Sequence, residues 1–451
     1  MANAKLHPSQ QLIEEILLLL EEGDRERIRI LLAGEEGVDI AKLLESLPPE
    51  QRERVWELVP DDKDAQVLSE VGDVVLASLV EEMDVAEIAA AAAEMESDDL
   101  AYFIEELPGD VGEEVKQQLS EDIRTRLEHA LTFEEETAGR LMSSDVVSVR
   151  SDVRLEVVLR FLRKRRELPD NTDGLMVVDR DGYYLGMLPL QRLLTRDEEE
   201  LVADVMETDD EPVPFDMKEM EVAQMFQEYD LLSVAVVDSD NRLIGRITID
   251  DVVDIIRDEA EHAVMGMAGL TEEEDLFAPV VPSAQRRAMW LGINLVTAFL
   301  ASWVIGQFEG VLDRIVALAV LMPIVASMGG IAGSQTLTLV IRGQALGQIS
   351  PSNLTWLVNK EVLIGLLNGV LWALVVAALA WLWFGDGGIA AVIAAAIIIN
   401  LIVAAAAGLF IPVLLKRFDI DPALSGPVVL TTVTDVVGFL SFLGLATLFL
   451  I

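Results

Sequence analysis

The stretch PALSGPVVLTTVTDVVGFLSFLGLATLFL, residues 422–450, decides how this chain is read. It is apolar for long enough to cross a bilayer as a helix. It nevertheless carries one charged residue, Asp435. A lone carboxylate in hydrocarbon costs on the order of several kcal/mol unless it faces a partner, water or an ion. The stretch thus announces a membrane helix and asks what the acid does there. Counted from Asp421, Asp435 lies roughly 21 Å along a helix, deep in the membrane. Thr431 and Thr432 stand one turn before it and Gly438 one turn after, so small and hydroxylated residues share its face.

Working outward, four more apolar segments occur, at about 288–306, 312–340, 356–384 and 389–415, which makes five expected spans. Residues 285–451 hold seven acids and seven bases, so the formal charge of −45 belongs wholly to residues 1–284. Arg286 and Arg287, Arg342, and Lys416 with Arg417 mark one side of the membrane, and Glu309, Asp313, Arg314 and Asp386 the other. The positive-inside rule places residues 1–285 in the cytoplasm and the C-terminus outside a plasma (inner) membrane. The second segment, at roughly 44 Å of helix, is too long for a simple crossing. It contains Pro323 and MGGIAGSQ (328–335), which predicts a broken helix against a watery cavity. Close helix packing is the other use of such glycines. Ser334 and Gln335 favour the cavity.

The acidic part reads as soluble. It repels phosphate, which excludes nucleic acid as a partner and leaves cations as the natural ones; solubility alone is the bland alternative. Cys is absent and three histidines (His7, His129, His262) lie far apart, which excludes thiolate sites and disfavours a histidine metal centre. HExxH, GxSxG and Walker A runs are absent too, so no enzyme is expected. The N-terminus, with acids inside its leucine run, predicts an amphipathic helix. LLESLPPEQRERVWEL from 43 recurs as FIEELPGDVGEEVKQQL from 103: helix, Leu-Pro turn, helix, the pattern of a small helical solenoid. Further on, LMVVDRDGYYLGMLPLQRLL (175–194) and SVAVVDSDNRLIGRITIDDVVDII (233–256) share a strand–turn–strand–helix plan.

The two copies resemble cystathionine-β-synthase (CBS) domains. The whole order resembles the MgtE family of magnesium channels or transporters, most specifically in TAGRLM (137–142), MPIVASMGGIAGSQTLTLVIRG (322–343), DPA (421–423) and TTVTD (431–435). The resemblance implies a multidomain chain. An all-α helical superhelix (1–135) precedes an α/β tandem CBS pair (136–200 and 201–255), a connecting or plug helix with its linker (256–284), and an α-helical membrane domain with five spans per chain (285–451). It implies a homodimeric Mg²⁺ channel, embedded in membrane lipid, whose pore lies on the dimer axis between the second and fifth spans. Asp435 would hold the hydrated ion there, lined by Thr431, Thr432, Gly438, Gly329, Gly330, Gly333 and Gln335. Mg²⁺ keeps its waters reluctantly shed, so such a site can be wide and sparsely charged, and C₂ pairing would bring two carboxylates together.

The resemblance also implies that intracellular Mg²⁺ acts as regulator, bound by Asp98 with its neighbour Asp99, Asp230, Asp251, Asp254 and Glu259. Tyr102, Lys218, Met220, His262 and Ala263 stand where the family has acids, and Ile331 where it has Asn. Some cation sites are therefore expected to be missing or displaced. Glu361 matches a family acid or pairs with Lys360. Thr248 and Asp251 match the residues with which CBS pairs hold ATP or another adenine nucleotide, against the alternative of a purely structural pair. Two other functional readings stand beside the channel: a carrier exchanging divalent cations such as Mg²⁺ or Co²⁺ for Na⁺ or H⁺, and a membrane-anchored CBS sensor without transport.

Overall fold

The computed structural model describes residues 8–169, 171–209, 211–270, 276–350, 352–418 and 420–451. The first residues of the expected N-terminal helix and part of the linker after the connecting helix lie outside these. The chain divides into two compact units, residues 1–259 with 273–279, and residues 260–272 with 280–451.

Among the described residues, the first unit opens with ten α-helices, from Pro8–Glu22 to Glu121–Ala130, around one continuous apolar core. The N-terminal helix buries Ile16, Leu19 and Leu20, as its amphipathic pattern predicts. The repeated Leu-Pro turns explain the stacking. Leu47 and Leu107 enter the core, while Pro48 and Pro108 stand at the N-caps of helices Pro49–Trp56 and Gly109–Gln118. A proline there loses no helical hydrogen bond and presets the backbone for the first turn.

Two three-stranded sheets follow. β1 (Ser148–Arg150) runs parallel to β2 (Gly174–Val178), which pairs antiparallel with β3 (Tyr184–Pro189). β4 (Val213–Pro214), β5 (Ser233–Val237) and β6 (Leu243–Thr248) repeat that order. The sequence pattern revealed only the hairpins, because β1 and β4 are too short to show alternation. The hairpin turns are built alike. Asp179 Oδ1 accepts from Asp181 N and Tyr183 N, and Asp238 Oδ1 from Asp240 N and Arg242 N. Gly182 and Asn241 take the left-handed positions, with φ of 88° and 62°, which Gly and Asn tolerate best. The two turns then bond each other, Tyr184 N to Asn241 O at 3.0 Å and Leu243 N to Gly182 O at 3.1 Å. Their shared core is Met176, Tyr184, Ala235 and Val237.

The connecting helix, Ile249–Met267, grows directly out of β6. The boundary drawn at 255/256 therefore falls inside one helix, whose last turns, from Ala260, belong to the second unit.

Among the described residues, that second unit holds five helices long and apolar enough to cross a membrane: Val280–Gly306, Val316–Ala345, Leu354–Phe384, Gly387–Arg417 and Pro422–Leu450. The first begins about two turns earlier than the sequence suggested, so Arg286 and Arg287 lie within it. The fourth is the most buried; it packs on the third, second and fifth, and the second packs on the fifth. Side-chain caps start the last two helices: Asp386 Oδ1 takes Gly388 N at 2.7 Å, and the Asp421 carboxylate takes Ala423 N and Leu424 N at 2.8 Å each.

One expectation is corrected here. The second span is not broken: it runs as a single helix through Pro323 and MGGIAGSQ. Its small residues serve contact instead. A Cβ on Gly408 would stand 2.6 Å from the Gly333 carbonyl, and one on Gly333 2.8 Å from Leu430, so glycine is what lets these backbones approach.

Candidate functional site

Because the second span stays helical, one face of it is continuous. Ala326, Ser327, Gly330, Ile331, Ser334, Gln335, Thr338 and Leu339 form that face, and together with Thr431 and Asp435 of the fifth span they line a cavity of about 950 Å³. Asp435 is half-buried at its wall. Thr431 Oγ1 donates to Pro427 O at 2.8 Å and Thr432 Oγ1 to Val428 O at 2.8 Å. With its proton engaged in the helix, the Thr431 hydroxyl presents lone pairs to the groove. The site is a polar stripe with one carboxylate, suited to accept hydrogen bonds from a hydrated cation.

Of the residues expected to line a pore, Gly330, Gln335, Thr431 and Asp435 meet at this groove. Gly329, Gly333 and Gly438 do not: they face the bundle interior, where Asn400 and Leu430 occupy the space a Cβ would need. Thr432 is not among the lining residues either. The sequence reading missed Ser327 and Thr338, which follow from helical phase once no break interrupts it. It also missed Asn400, 1% exposed, whose Nδ2 donates to Val325 O at 2.8 Å. Glu361 pairs with Lys360, one of the two readings considered for it, and also takes a hydrogen bond that the sequence did not suggest. Its Oε1 lies 3.2 Å from Lys360 Nζ, and its Oε2 accepts from Thr336 Oγ1 at 3.1 Å inside the bundle.

In the first unit, acids of the helix Ser97–Glu106 crowd those of the connecting helix. Loss of water, then the charge of Asp251, raises Asp98 well above the carboxylate range; the same two causes push Asp99 up to about 7. Burial raises Asp251 to about 6, although its Oδ2 accepts from Thr248 N at 3.1 Å. Asp254 is raised by burial against the pull of Arg257, and Glu70 by burial and Asp254. The Asp98 Oδ1 is shut from solvent with no donor among the described residues. Like charges held this closely favour whatever cation or proton reaches them.

Even so, no three acids or histidines among the described residues converge tightly enough to hold a metal. Asp230 stands apart from this cluster, capping the helix Glu219–Tyr229 in left-handed conformation, φ 53°. Glu259 acts on Glu219, together with Glu136 and Asp258. Tyr102 donates to Asp73 at 2.5 Å. In the second unit His262 Nε2 lies 3.2 Å from Asp421 Oδ2. Thr248, buried, directs its hydroxyl to Asp250 and Asp251, so the two candidate nucleotide contacts also cap the connecting helix.

The magnesium transporter MgtE of Thermus thermophilus is 32% identical over 436 residues, 96% of this chain and 97% of that protein. The chain belongs to the MgtE family. The family profile described as MgtE, divalent cation transporter, matches residues 322–445, which include both walls of the groove. The MgtE intracellular N domain matches 35–136, and the CBS domain matches 138–199 and 202–258. The MgtE magnesium transporter of Enterococcus faecalis is 29% identical over 324 residues, 72% of this chain and 71% of that one. A solved structure of the cytosolic domain of the Mg²⁺ channel MgtE in complex with ATP superposes on 54% of this chain and 99% of its own, with 30% identity and TM-score 0.50.

Proposed function

We propose that this protein conducts Mg²⁺ across the plasma membrane as a homodimeric channel, with residues 1–285 in the cytoplasm and the C-terminus outside. The observation that carries the reading is the groove: a half-buried carboxylate, Asp435, on a hydroxyl- and amide-lined face between the second and fifth spans. An unpaired acid there is costly unless a cation passes it. Two copies facing each other across a two-fold axis would turn two half-grooves into one path and set two Asp435 carboxylates around a hydrated dication. Gly330, Gln335 and Thr431 would line that path.

Regulation is the second half of the reading. Asp98, Asp99, Asp251 and Asp254, with Glu259 and the separately placed Asp230, bind intracellular Mg²⁺ and respond to it. Among the described residues no preformed cage would hold the ion, so its binding draws facing helices together against their repulsion and moves the connecting helix; at low Mg²⁺ they part. An adenine nucleotide at Thr248 and Asp251 is a subsidiary proposal, supported by the ATP in the related cytosolic structure.

The test is ion flux in liposomes holding a Mg²⁺-sensitive dye. Asp435→Ala is expected to lower uptake at least about tenfold, and Asp435→Asn nearly as much, since the charge is what offsets lost hydration. Wild-type flux through Asp435→Ala would refute the reading. Discrete conductance steps in single-channel records would separate a channel from an exchanger.

A further inference from the structure

Asn400 is a polar side chain in the interior of the fourth span, surrounded by buried Ala396, Ile397, Leu401 and Ala404. The bond from Nδ2 to Val325 O fixes which way the amide is turned. Its Oδ1 is thereby left shut from solvent with no donor among the described residues. Leaving an amide oxygen unpaired is unfavourable, and an apolar side chain of the same size would avoid it. The surroundings are nevertheless shaped to this amide. A Cβ on Gly329 would stand 2.2 Å from Nδ2, and one on Gly438 2.8 Å from it. One side chain therefore touches both helices that form the groove, from the side away from the cavity. Val325 directly precedes Ala326 of the lining, and Gly438 follows Asp435 by three residues, nearly one turn.

We infer that Asn400 is a positioning residue for the groove: its amide sets the spacing and rotation of the second span against the fifth, and so the place of Asp435 opposite Ser327 and Ser334. Packing alone would be served by leucine; only an oriented donor and a flat edge explain an amide whose nitrogen is walled by two glycines while its oxygen is left without a donor among the described residues. The inference deepens the proposed ion path and rests on it for its consequence in transport, but its geometric content can be measured separately.

The chain has no cysteine, so Ser327→Cys and Thr431→Cys can be spin-labelled without background. In full-length protein in lipid, diluted with unlabelled chain, the label-to-label distance across the groove is expected to be narrowly distributed. Asn400→Leu is expected to broaden and shift it while leaving the thermal unfolding midpoint in place. Unlabelled Asn400→Leu is expected to lose about tenfold in Mg²⁺ uptake, the scale at which misplacement of a reacting group acts, and to discriminate less between Mg²⁺ and Ca²⁺. Gly438→Ala keeps the amide and adds only a methyl against it; it carries the same expectations for distance and flux, with a lowered unfolding midpoint from overpacking, and replaces Asn400→Leu should that variant fail to fold. An unchanged distance distribution in these variants would overturn the inference, as would flux falling only in step with folded protein. If the distance responds but wild type moves no Mg²⁺, positioning by Asn400 stands and the transport reading falls.

Discussion

At the scale of single residues, the groove mixes one acid with an apolar patch. Ile331 is 59% exposed on its wall, where a hydrated ion gains nothing from hydrocarbon. Ile331→Asn, which restores a donor and an acceptor, is expected to raise Mg²⁺ uptake several-fold in the dye assay; unchanged flux would show that this position is not on the path. Neighbouring glycines make a sharper contrast. Gly330 has open space where a Cβ would go, whereas Gly329 meets Asn400. Gly329→Ala is expected to cost about 1–3 kcal/mol of stability through overpacking, while Gly330→Ala, freed of glycine's backbone entropy, should gain roughly 0.5–1 kcal/mol. Thermal unfolding in detergent reads both. Sequence alone shows two adjacent glycines and cannot tell which one is crowded, because that depends on a side chain about 70 residues away.

At the scale of elements, charge and packing oppose each other inside the acidic helices. Asp64 opens the helix Asp64–Glu70, a place where a negative charge is normally favoured. Burial, Asp61, Glu87 and Asp62 outweigh that and push it up to about 7. The folded chain then holds a proton that the unfolded chain has lost between about pH 4 and about pH 7, so stability falls as pH rises through that window and levels above it. Asp64→Asn is expected to remove part of this slope and to raise the melting temperature of the soluble unit most at neutral pH. A slope unchanged by the substitution would show that Asp64 is not its source. The Leu-Pro turns give a second test at this scale. Leu47 is fully buried where two helices meet, so Leu47→Ala is expected to cost about 2–5 kcal/mol, seen as a lower melting temperature with the membrane unit unaffected. These turns were legible because a proline and a buried leucine recur at matching places in the repeat. The strands β1 and β4 were not, because two or three residues carry no period and their pairing partners lie more than 20 residues away.

At the scale of the whole molecule, all the excess charge sits in residues 1–284 and none in the spans. Such a field draws divalent cations and weakens with added salt. Titrating Mg²⁺ onto the full-length protein is therefore expected to slow hydrogen exchange in Ser97–Glu106 and the connecting helix at millimolar levels, and Na⁺ at equal ionic strength to do so far less. Equal protection by both ions would reduce the acidity to a solubility device. Orientation can be checked on the same cysteine-free background: a cysteine at Ile451 should react with an impermeant reagent from outside the cell, and one at Leu18 only after permeabilisation.

The residue order by itself determined the five spans, the helical repeat, the twin hairpins and the charge at Asp435, because each is written in local terms: apolar length, a repeated turn, alternation, a lone acid in hydrocarbon. Only tertiary structure decided that the second span is unbroken, that Gly330 faces the groove while Gly329 and Gly438 clasp Asn400, and that Asp98 and Asp251 crowd one another. Those outcomes depend on which helix faces are brought together, and that is settled by packing between segments distant in sequence.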